Sequence, residues 1–230
     1  MSERSTGARP APEKPITVLI ADDHPMVRAG LHALLNNRCV VPVGEATNGS
    51  EAVQMAKELN PDVVLMDIRM PDMDGLEATQ LIKQEVPAAS VIIITSYESR
   101  DYLRRAIEAG ASGYMLKGMP KDALLEGIKL VKSGGSLIDA KLLSELLQQM
   151  GLRDSLRRPE YGALSEALAP RERDILQLVV QGLTNKEIAR EMHYSVGTVK
   201  NVVQRIIEKM GASDRTQAAV LAVRAGLDSR

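Results

Sequence analysis

The first 135 residues alternate between short apolar runs and segments with helical periodicity. The apolar runs are ITVLIA, VVPVGEA, DVVLMD, SVIIIT and SGYML. The amphipathic segments that follow them lie near residues 25–36, 50–59, 75–86, 98–109 and 120–133. Nearly continuous β-branched runs separated by helices are typical of a parallel sheet that is covered on both faces. The pattern therefore predicts a doubly wound α/β domain.

The rest of the chain has a different pattern, which divides the sequence into four parts. Residues 1–14 are rich in Pro, Ser and Arg and are predicted to form a disordered tail before the α/β domain of residues 15–135. Residues 136–165 are predicted to be a polar linker with one short helix, 140–150. Residues 166–230 are predicted to form a separate all-α domain.

Four helices are expected in this last part because each has recognisable end signals. These signals are Pro170, Gly182, Thr184 with Glu187, Ser195, Gly211, and Ser213 or Asp214. Only the short turn HYS separates a helix at residues 185–192 from a helix at residues 196–209. This arrangement predicts a helix-turn-helix.

Composition and charge restrict the class of protein. The chain has 230 residues, a net charge of −1 and no apolar run close to the roughly 20 residues of a membrane span. It also lacks the apolar block of a secretory signal, so we expect a cytoplasmic protein with no membrane contact. The single cysteine, Cys39, lies in the apolar run CVVPV and is expected to be buried.

The distribution of charge and aromatic residues suggests that the two domains have different partners. Acidic residues outnumber basic ones in residues 15–133, and the balance reverses in residues 165–230. Trp and Phe are absent, so the chain has few of the aromatic platforms on which single-stranded nucleic acids stack. Double-stranded DNA is the nucleic acid that a helix-turn-helix would bind.

Polar side chains stand where the predicted strands end. The first strand runs into Asp22 and Asp23, the third ends at Asp67, the fourth at Thr95 and the fifth at Lys117. In an open parallel sheet these ends meet at one edge, where ligands bind. Three neighbouring carboxylates repel one another unless a cation lies among them, and Mg²⁺ prefers oxygen ligands. A lysine and a hydroxyl at the same edge suit a phosphoryl group, so Asp67 is a candidate nucleophile.

These segments resemble the receiver domain of two-component response regulators. The resemblance is carried by IADDHP, VVLMDIRMPDMDG, VIIITS and GASGYMLK. It implies a five-stranded parallel sheet of flavodoxin-like order 2-1-3-4-5, and phosphorylation of Asp67 by a sensor histidine kinase. The implied Mg²⁺ ligands are Asp22, Asp23, Asp67 and the backbone carbonyl of Arg69. Thr95 and Lys117 would contact the phosphoryl oxygens, and Thr95 and Tyr114 would form the conformational switch.

One departure from the family pattern concerns the residue after the lysine. The family often has a proline with a cis peptide bond there, whereas this chain has Gly118. A cis bond is therefore not expected at this position.

The C-terminal region resembles the DNA-binding domain of NarL/LuxR-type regulators, through LTNKEIA and the pattern S-x-G-T-V-K-N. The resemblance implies that Lys200, Asn201 and Gln204 reach base edges. The implied phosphate contacts are Asn185, Lys186, Thr198, Arg205 and Arg215. It also implies that the last helix pairs two copies over an inverted repeat, giving a homodimer on DNA or after phosphorylation. Ala169 replaces a common Thr cap, and Val202 a frequent His.

Other interpretations apply to the acidic residues and to His24. Asp72 and Asp74 fit a turn, with Asp74 capping the next helix, and His24 fits the start of a helix. A haloacid-dehalogenase-type phosphotransferase would need a second acid two residues after the nucleophile, where Arg69 stands. The segment DMDGLE lacks the ligand spacing of a calcium loop.

Together the two resemblances predict a transcription regulator that is not an enzyme, except that the receiver would catalyse its own phosphorylation and dephosphorylation. A binding-module alternative stays open, in which the receiver responds to protein or ligand contacts without a kinase. The sequence also leaves two modes of restraint open. The unphosphorylated receiver would either cover the recognition helix or fail to dimerise.

Overall fold

The computed structural model describes residues 14–97, 99–138, 168–212 and 214–225. The predicted N-terminal tail and the predicted linker helix at 140–150 lie outside the described residues. No helix in the described ranges is long and apolar enough to cross a membrane.

The N-terminal domain contains a five-stranded parallel sheet, as predicted. Its strands are β1 (Ile16–Ala21), β2 (Val40–Ala46), β3 (Val63–Met66), β4 (Ser90–Thr95) and β5 (Gly113–Leu116). The strand order is β2-β1-β3-β4-β5, which confirms the doubly wound topology. β3 and β4 are buried along their whole length, which explains their continuous apolar sequences.

Five helices cover the two faces of this sheet. They are α1 (Pro25–Leu35), α2 (Gly49–Leu59), α3 (Gly75–Glu85), α4 (Arg100–Ala109) and α5 (Lys121–Lys132). Side-chain caps fix the starts of α2, α3 and α4, where Asn48, Asp74 and Ser99 accept backbone N–H bonds. The role predicted for Asp74 is thus confirmed, and His24 is the N-cap residue of α1.

Gly75 brings the start of α3 against the candidate nucleophile. A Cβ atom at this position would lie 1.8 Å from the backbone oxygen of Asp67. The N–H of Gly75 also donates to the oxygen of Ile68 at 2.9 Å. Glycine is therefore required here, and its close approach holds the loop after β3 in place.

Four further helices form the C-terminal domain: α6 (Pro170–Val180), α7 (Asn185–Glu191), α8 (Val196–Lys209) and α9 (Arg215–Arg224). The capping box of Thr184 with Glu187 is present, and Ser195 caps α8. Asp214 caps α9, while Ser213 lies outside the described residues. Val199, Val203 and Ile206 are buried on one face of α8, as the periodicity predicts.

Cys39 is a correction to the sequence analysis, because it is exposed rather than buried. It lies just before β2, where its N–H donates to the side chain of Asn37 at 2.8 Å. The turn therefore directs Cys39 outward, although Val40 next to it is fully buried. Along the whole described chain the peptide bonds are trans, including those of Gly118, as expected.

The two domains share an apolar cluster and buried hydrogen bonds. Leu103 and Ile107 of α4 pack in the same buried cluster as side chains of α6, α8 and α9. Ser112, at the start of β5, donates from its Oγ to Oδ2 of Asp214 at 2.5 Å, and both residues are fully buried. A second bond runs from Thr216 Oγ1 to Ser136 Oγ at 2.6 Å. The last helix is thus packed against the N-terminal domain.

Candidate phosphoacceptor site and DNA-binding surface

Three charged groups from different strand ends meet at one edge of the sheet. Nζ of Lys117 lies 2.7 Å from Oδ2 of Asp22 and 3.0 Å from Oδ1 of Asp67. The side chains of Asp22 and Asp67 are 2% and 7% exposed. The backbone N–H of Asp67 donates to the oxygen of Ala21 at 2.8 Å, which fixes its position beside β1. The lysine therefore balances part of the acidic charge.

Burial controls the ionisation of this cluster. Burial raises the pKa of Asp67, and the charge of Asp22 adds to the increase, while Lys117 opposes it. For Lys117 burial disfavours the charged form, but its bonds to Asp22 and Asp67 outweigh burial and raise the pKa of the amine. An additional cation near Asp67 would favour its ionised, nucleophilic form.

The donor atoms beside Asp67 fit a hard divalent ion. Oxygen atoms of Asp22 and Asp23 and a ring nitrogen of His24 all lie within 4.8 Å of one another. Asp23 is partly exposed, and its Oδ1 lies 2.5 Å from Nδ1 of His24. Two carboxylates with one side open to water suit Mg²⁺, which keeps several water ligands. The carboxylates of Asp22 and Asp23 are thus compatible with the oxygen ligands that Mg²⁺ prefers.

The predicted switch residues lie at the end of β4 and in β5. Thr95 is almost fully buried, and its Oγ1 accepts a bond from the N–H of Tyr97 at 3.2 Å. The hydroxyl of Tyr114 donates to the backbone oxygen of Tyr97 at 2.8 Å. Tyr114 also packs against the apolar cluster that both domains share. The loop after β4 therefore connects the hydroxyl of Thr95 with Tyr114 and, through Tyr114, with the interface between the domains.

Arg69, Tyr97 and Tyr102 form a cluster beside the site, and the contacts of Arg69 with the two tyrosines were not predicted. The guanidinium carbon of Arg69 lies 4.3 Å from the ring centroid of Tyr97. Arg69 also donates to the hydroxyl of Tyr97 at 3.2 Å and to the hydroxyl of Tyr102 at 3.2 and 3.4 Å. The sequence carries no sign of the Tyr102 contact, because 33 residues separate it from Arg69.

The residues predicted to read DNA lie together on α8 and the start of α7. Lys200, Asn201 and Gln204 are exposed along one side of α8, opposite its buried valines. The predicted phosphate contacts Lys186, Thr198 and Arg205 are also exposed. Thr198 N–H donates to the capping hydroxyl of Ser195 at 3.0 Å, so this threonine lies at the start of the helix.

The guanidinium of Arg215 is more enclosed than expected for a side chain that contacts DNA phosphates at the surface. Its guanidinium donates to Oδ1 of Asn185 at 2.7 Å and to the backbone oxygen of Leu183. Burial lowers the pKa of Arg215 to about 10. In this arrangement Arg215 ties the start of α9 to the start of α7.

Part of the DNA-reading surface faces the N-terminal domain. A cavity of about 170 Å³ separates the end of α5 from α8, and it is lined by Leu130, Ser133, Gly134, Gly135, Asn185, Lys200, Val203, Gln204, Ile207 and Arg215. A Cβ atom at Gly134 would lie 3.1 Å from Oε1 of Gln204. The end of α5 thus lies next to the side chain of Gln204.

Comparison with known proteins matches both domains. Residues 18–129 match the family described as response regulator receiver domain. Residues 166–222 match the family described as bacterial regulatory proteins, luxR family.

Similar proteins have the same two-domain extent. The transcriptional regulatory protein LnrK of Bacillus subtilis (strain 168) is 40% identical over 220 residues, covering 92% of this chain and 98% of LnrK. The transcriptional regulatory protein LiaR of the same strain is 42% identical over 211 residues, covering 91% of this chain and 97% of LiaR.

One solved structure is similar to part of the chain. The crystal structure of a two-component response regulator of the LuxR family from Aurantimonas sp. SI85-9A1 has a TM-score of 0.53 and 32% sequence identity. It covers 59% of this chain and 98% of that chain. With a receiver fold, an acidic strand edge and a helix-turn-helix in one chain, the protein belongs to the NarL/LuxR family of two-component response regulators.

Proposed function

We propose that a sensor histidine kinase phosphorylates Asp67 and that this modification controls binding to specific DNA sequences. The observation that carries the proposal is made at the strand ends, where Nζ of Lys117 lies within 3.0 Å of a carboxylate oxygen of both Asp22 and Asp67. We take residues 15–135 as the receiver and residues 166–230 as the DNA-binding domain, joined by the linker of residues 136–165.

The chemistry follows from the groups around Asp67. A carboxylate oxygen of Asp67 attacks the phosphorus of phosphohistidine, and the bond from phosphorus to the imidazole nitrogen breaks. Lys117 and Thr95 would stabilise the transferred phosphoryl oxygens, Lys117 by its charge and Thr95 by its hydroxyl. Asp22, Asp23, Asp67 and the Arg69 carbonyl would hold Mg²⁺, which supplies positive charge that offsets the negative charge of the phosphoryl group.

The contacts between the domains bear on both modes of restraint. The end of α5 lies against Gln204, and α9 is packed on α4 and β5. We infer that the unphosphorylated receiver covers the recognition helix. It also packs against α9, the helix that would pair two DNA-binding domains. Phosphorylation then shifts the population towards an arrangement in which both surfaces are free.

Mass spectrometry tests the phosphorylation step directly. The protein is incubated with Mg²⁺ and a small phosphodonor such as acetyl phosphate, and added phosphate is located by peptide mapping. We expect one acid-labile phosphate on Asp67 and none on the Asp67→Asn variant, which keeps the shape of the side chain but lacks the anionic nucleophile. Undiminished phosphate on Asp67→Asn would refute the assignment, and Asp72→Asn is the matched control.

The regulatory step is tested separately, with DNA. Preferred duplexes are selected from a random pool by the phosphorylated protein, and affinity is then compared before and after phosphorylation. We expect tighter binding after phosphorylation. Equal affinity in both states would favour the binding-module alternative, in which the receiver acts without a kinase.

A further inference from the structure

The Arg69 side chain bridges the phosphoacceptor loop and the beginning of α4. Arg69 follows Asp67 by two residues, whereas Tyr97 lies in the loop after β4 and Tyr102 in the first turn of α4. The three contacts of the guanidinium with tyrosine hydroxyls span 28 and 33 residues of sequence. Arg69 therefore ties the loop after β3 to the loop after β4 and to the first turn of α4.

The acceptors that hold Arg69 are weak compared with a phosphoryl group. The hydroxyls of Tyr97 and Tyr102 are neutral acceptors, and the contacts of 3.2 to 3.4 Å are long for an arginine donor. An aspartyl phosphate would place about two negative charges and several oxygens beside the same loop. Charge-assisted bonds from arginine to phosphate are about twice as strong as neutral ones, and they are often bidentate.

Helix α4 connects this tie to the DNA-binding domain. Tyr102, in the first turn of α4, packs against the receiver core. Leu103 and Ile107 of the same helix are buried in the cluster shared with α6, α8 and α9. Gly110 at the end of α4 lies close to Gln217, since a Cβ atom at Gly110 would meet the Gln217 amide nitrogen at 2.5 Å. A displacement of the first turn of α4 would therefore disturb packing at the interface.

We propose that Arg69 senses the phosphoryl group and transmits its presence to the domain interface. In the unphosphorylated protein its guanidinium is held by Tyr97 and Tyr102 and keeps α4 in the position that packs against the DNA-binding domain. After phosphorylation the guanidinium binds the phosphoryl oxygens instead, and the beginning of α4 is released. This inference rests on the proposed phosphorylation of Asp67 but adds a specific residue that couples it to domain separation.

Hydrogen–deuterium exchange of the full chain tests the tie, with Tyr102→Phe as the main variant. This substitution removes the hydroxyl that accepts from Arg69 and keeps the ring. Without phosphate, amide exchange in residues 99–110 and 214–225 is expected to be several-fold faster in Tyr102→Phe than in wild type. Arg100→Gln, which removes a neighbouring exposed arginine of α4, is the matched control and should exchange like wild type.

A second arm tests the sensor role of Arg69. After treatment with acetyl phosphate, exchange in the same peptides is measured at matched phosphate content for wild type and Arg69→Gln. Wild type is expected to show a several-fold increase on phosphorylation, whereas Arg69→Gln, already released, should show little further change. A wild-type response in Arg69→Gln, or unchanged exchange in unphosphorylated Tyr102→Phe, would overturn the proposal.

The two proposals fail in distinguishable ways. If wild type takes up no phosphate, the proposed function is wrong, yet the Tyr102→Phe arm still reports on the tie because it needs no phosphate. If wild type is phosphorylated on Asp67 but the exchange results contradict the tie, only the role of Arg69 is wrong.

Discussion

Asp67 is held in an environment that disfavours its negative charge. Its side chain is 7% exposed, and burial is the main cause of its raised pKa, with Asp22 as a further cause. Lys117 compensates only in part because it is shared with Asp22. The buried charge of Asp67 therefore lowers the stability of the folded chain, and this cost accompanies a nucleophile held in a fixed position.

This cost predicts a pH-dependent difference in stability for Asp67→Asn. Because the pKa of Asp67 is higher in the folded chain than in the unfolded chain, ionisation of Asp67 at neutral pH lowers the free energy of unfolding. We expect Asp67→Asn to unfold at a higher temperature than wild type at neutral pH without divalent ions. The difference should shrink as the pH falls through the raised pKa of folded Asp67, and it should vanish below about 4, where Asp67 becomes protonated in both states.

Thermal unfolding by circular dichroism across pH measures this effect. Asp72→Asn is the control, because Asp72 is exposed in the same loop and its replacement should leave the unfolding temperature nearly unchanged. A lower unfolding temperature for Asp67→Asn at neutral pH would show that the bond to Lys117 outweighs burial.

Tyr97 should control the lifetime of the phosphoryl group. Its ring is 44% exposed and lies beneath the guanidinium of Arg69, near the open side of the site. A bulky ring there restricts an attacking water, so Tyr97→Ala should lose phosphate several-fold faster than wild type. The decay of isolated phosphoprotein gives the rate. Tyr97→Phe, which keeps the ring, should decay like wild type, and equal decay of wild type and Tyr97→Ala would contradict the prediction.

At the scale of helices and strands, local signals were sufficient for most of the fold. Each strand and each helix of the receiver lies within a few residues of its predicted range, since β-branched runs and capping residues act over short distances. The capping roles of Asp74, Thr184 and Ser195 were also predictable. Cys39 was not, because a turn bond to Asn37 reverses its direction and the apolar run does not show this.

The start of α6 lacks an N-cap residue whose side chain can accept a hydrogen bond. Ala169 has the extended backbone of an N-cap residue but no side-chain acceptor, and only the return bond from its N–H to Glu172 at 2.9 Å is present. Lys209 of α8 bonds to the same carboxylate at 2.7 Å. Glu172 therefore supplies the side-chain bond at this helix start.

Restoring the cap should stabilise the C-terminal domain. Ala169→Thr is expected to raise the free energy of unfolding by about 0.5 to 2 kcal/mol, because a hydroxyl would accept a free N–H of the first turn. Urea denaturation of the full chain measures the change. Thr184→Ala, which removes an existing cap of α7, should lower stability by a similar amount. No gain in Ala169→Thr would mean that Glu172 already satisfies the helix start.

The arrangement of the whole molecule could not be read from the sequence. Ser112 and Asp214 are 102 residues apart, and neither belongs to a motif that indicates a partner. The same is true of the contact between Gly134 and Gln204. The strand-end residues of the phosphoacceptor site were predictable because topology places them together, whereas pairing between two domains depends on surfaces with no periodic signal.

The exposed side chains of α8 and α7 predict two kinds of DNA contact. Gln204→Ala should weaken binding to the selected duplex by about 1 to 3 kcal/mol and relax base preference at one or two positions, with little change on random DNA. Lys186→Ala, at a predicted phosphate contact, should weaken binding to both duplexes alike and lower the salt slope by about one unit.

Binding titrations of phosphorylated protein across salt concentrations on matched and scrambled duplexes separate these outcomes. Arg205→Ala, the other exposed basic residue in the phosphate set, should behave like Lys186→Ala. An equal loss on both duplexes for Gln204→Ala would move that residue from base recognition to backbone contact.

The aromatic composition gives this protein a built-in optical signal. The chain has five tyrosines and no tryptophan, and Tyr97, Tyr102 and Tyr114 all surround the β4–α4 loop. Without tryptophan to accept their excitation energy, the tyrosines dominate the ultraviolet emission. The emission should change when Arg69 moves away from the Tyr97 ring, or when the Tyr114 hydroxyl loses its bond to the Tyr97 backbone oxygen. Unlabelled protein should therefore report the arrival of a phosphoryl group in real time.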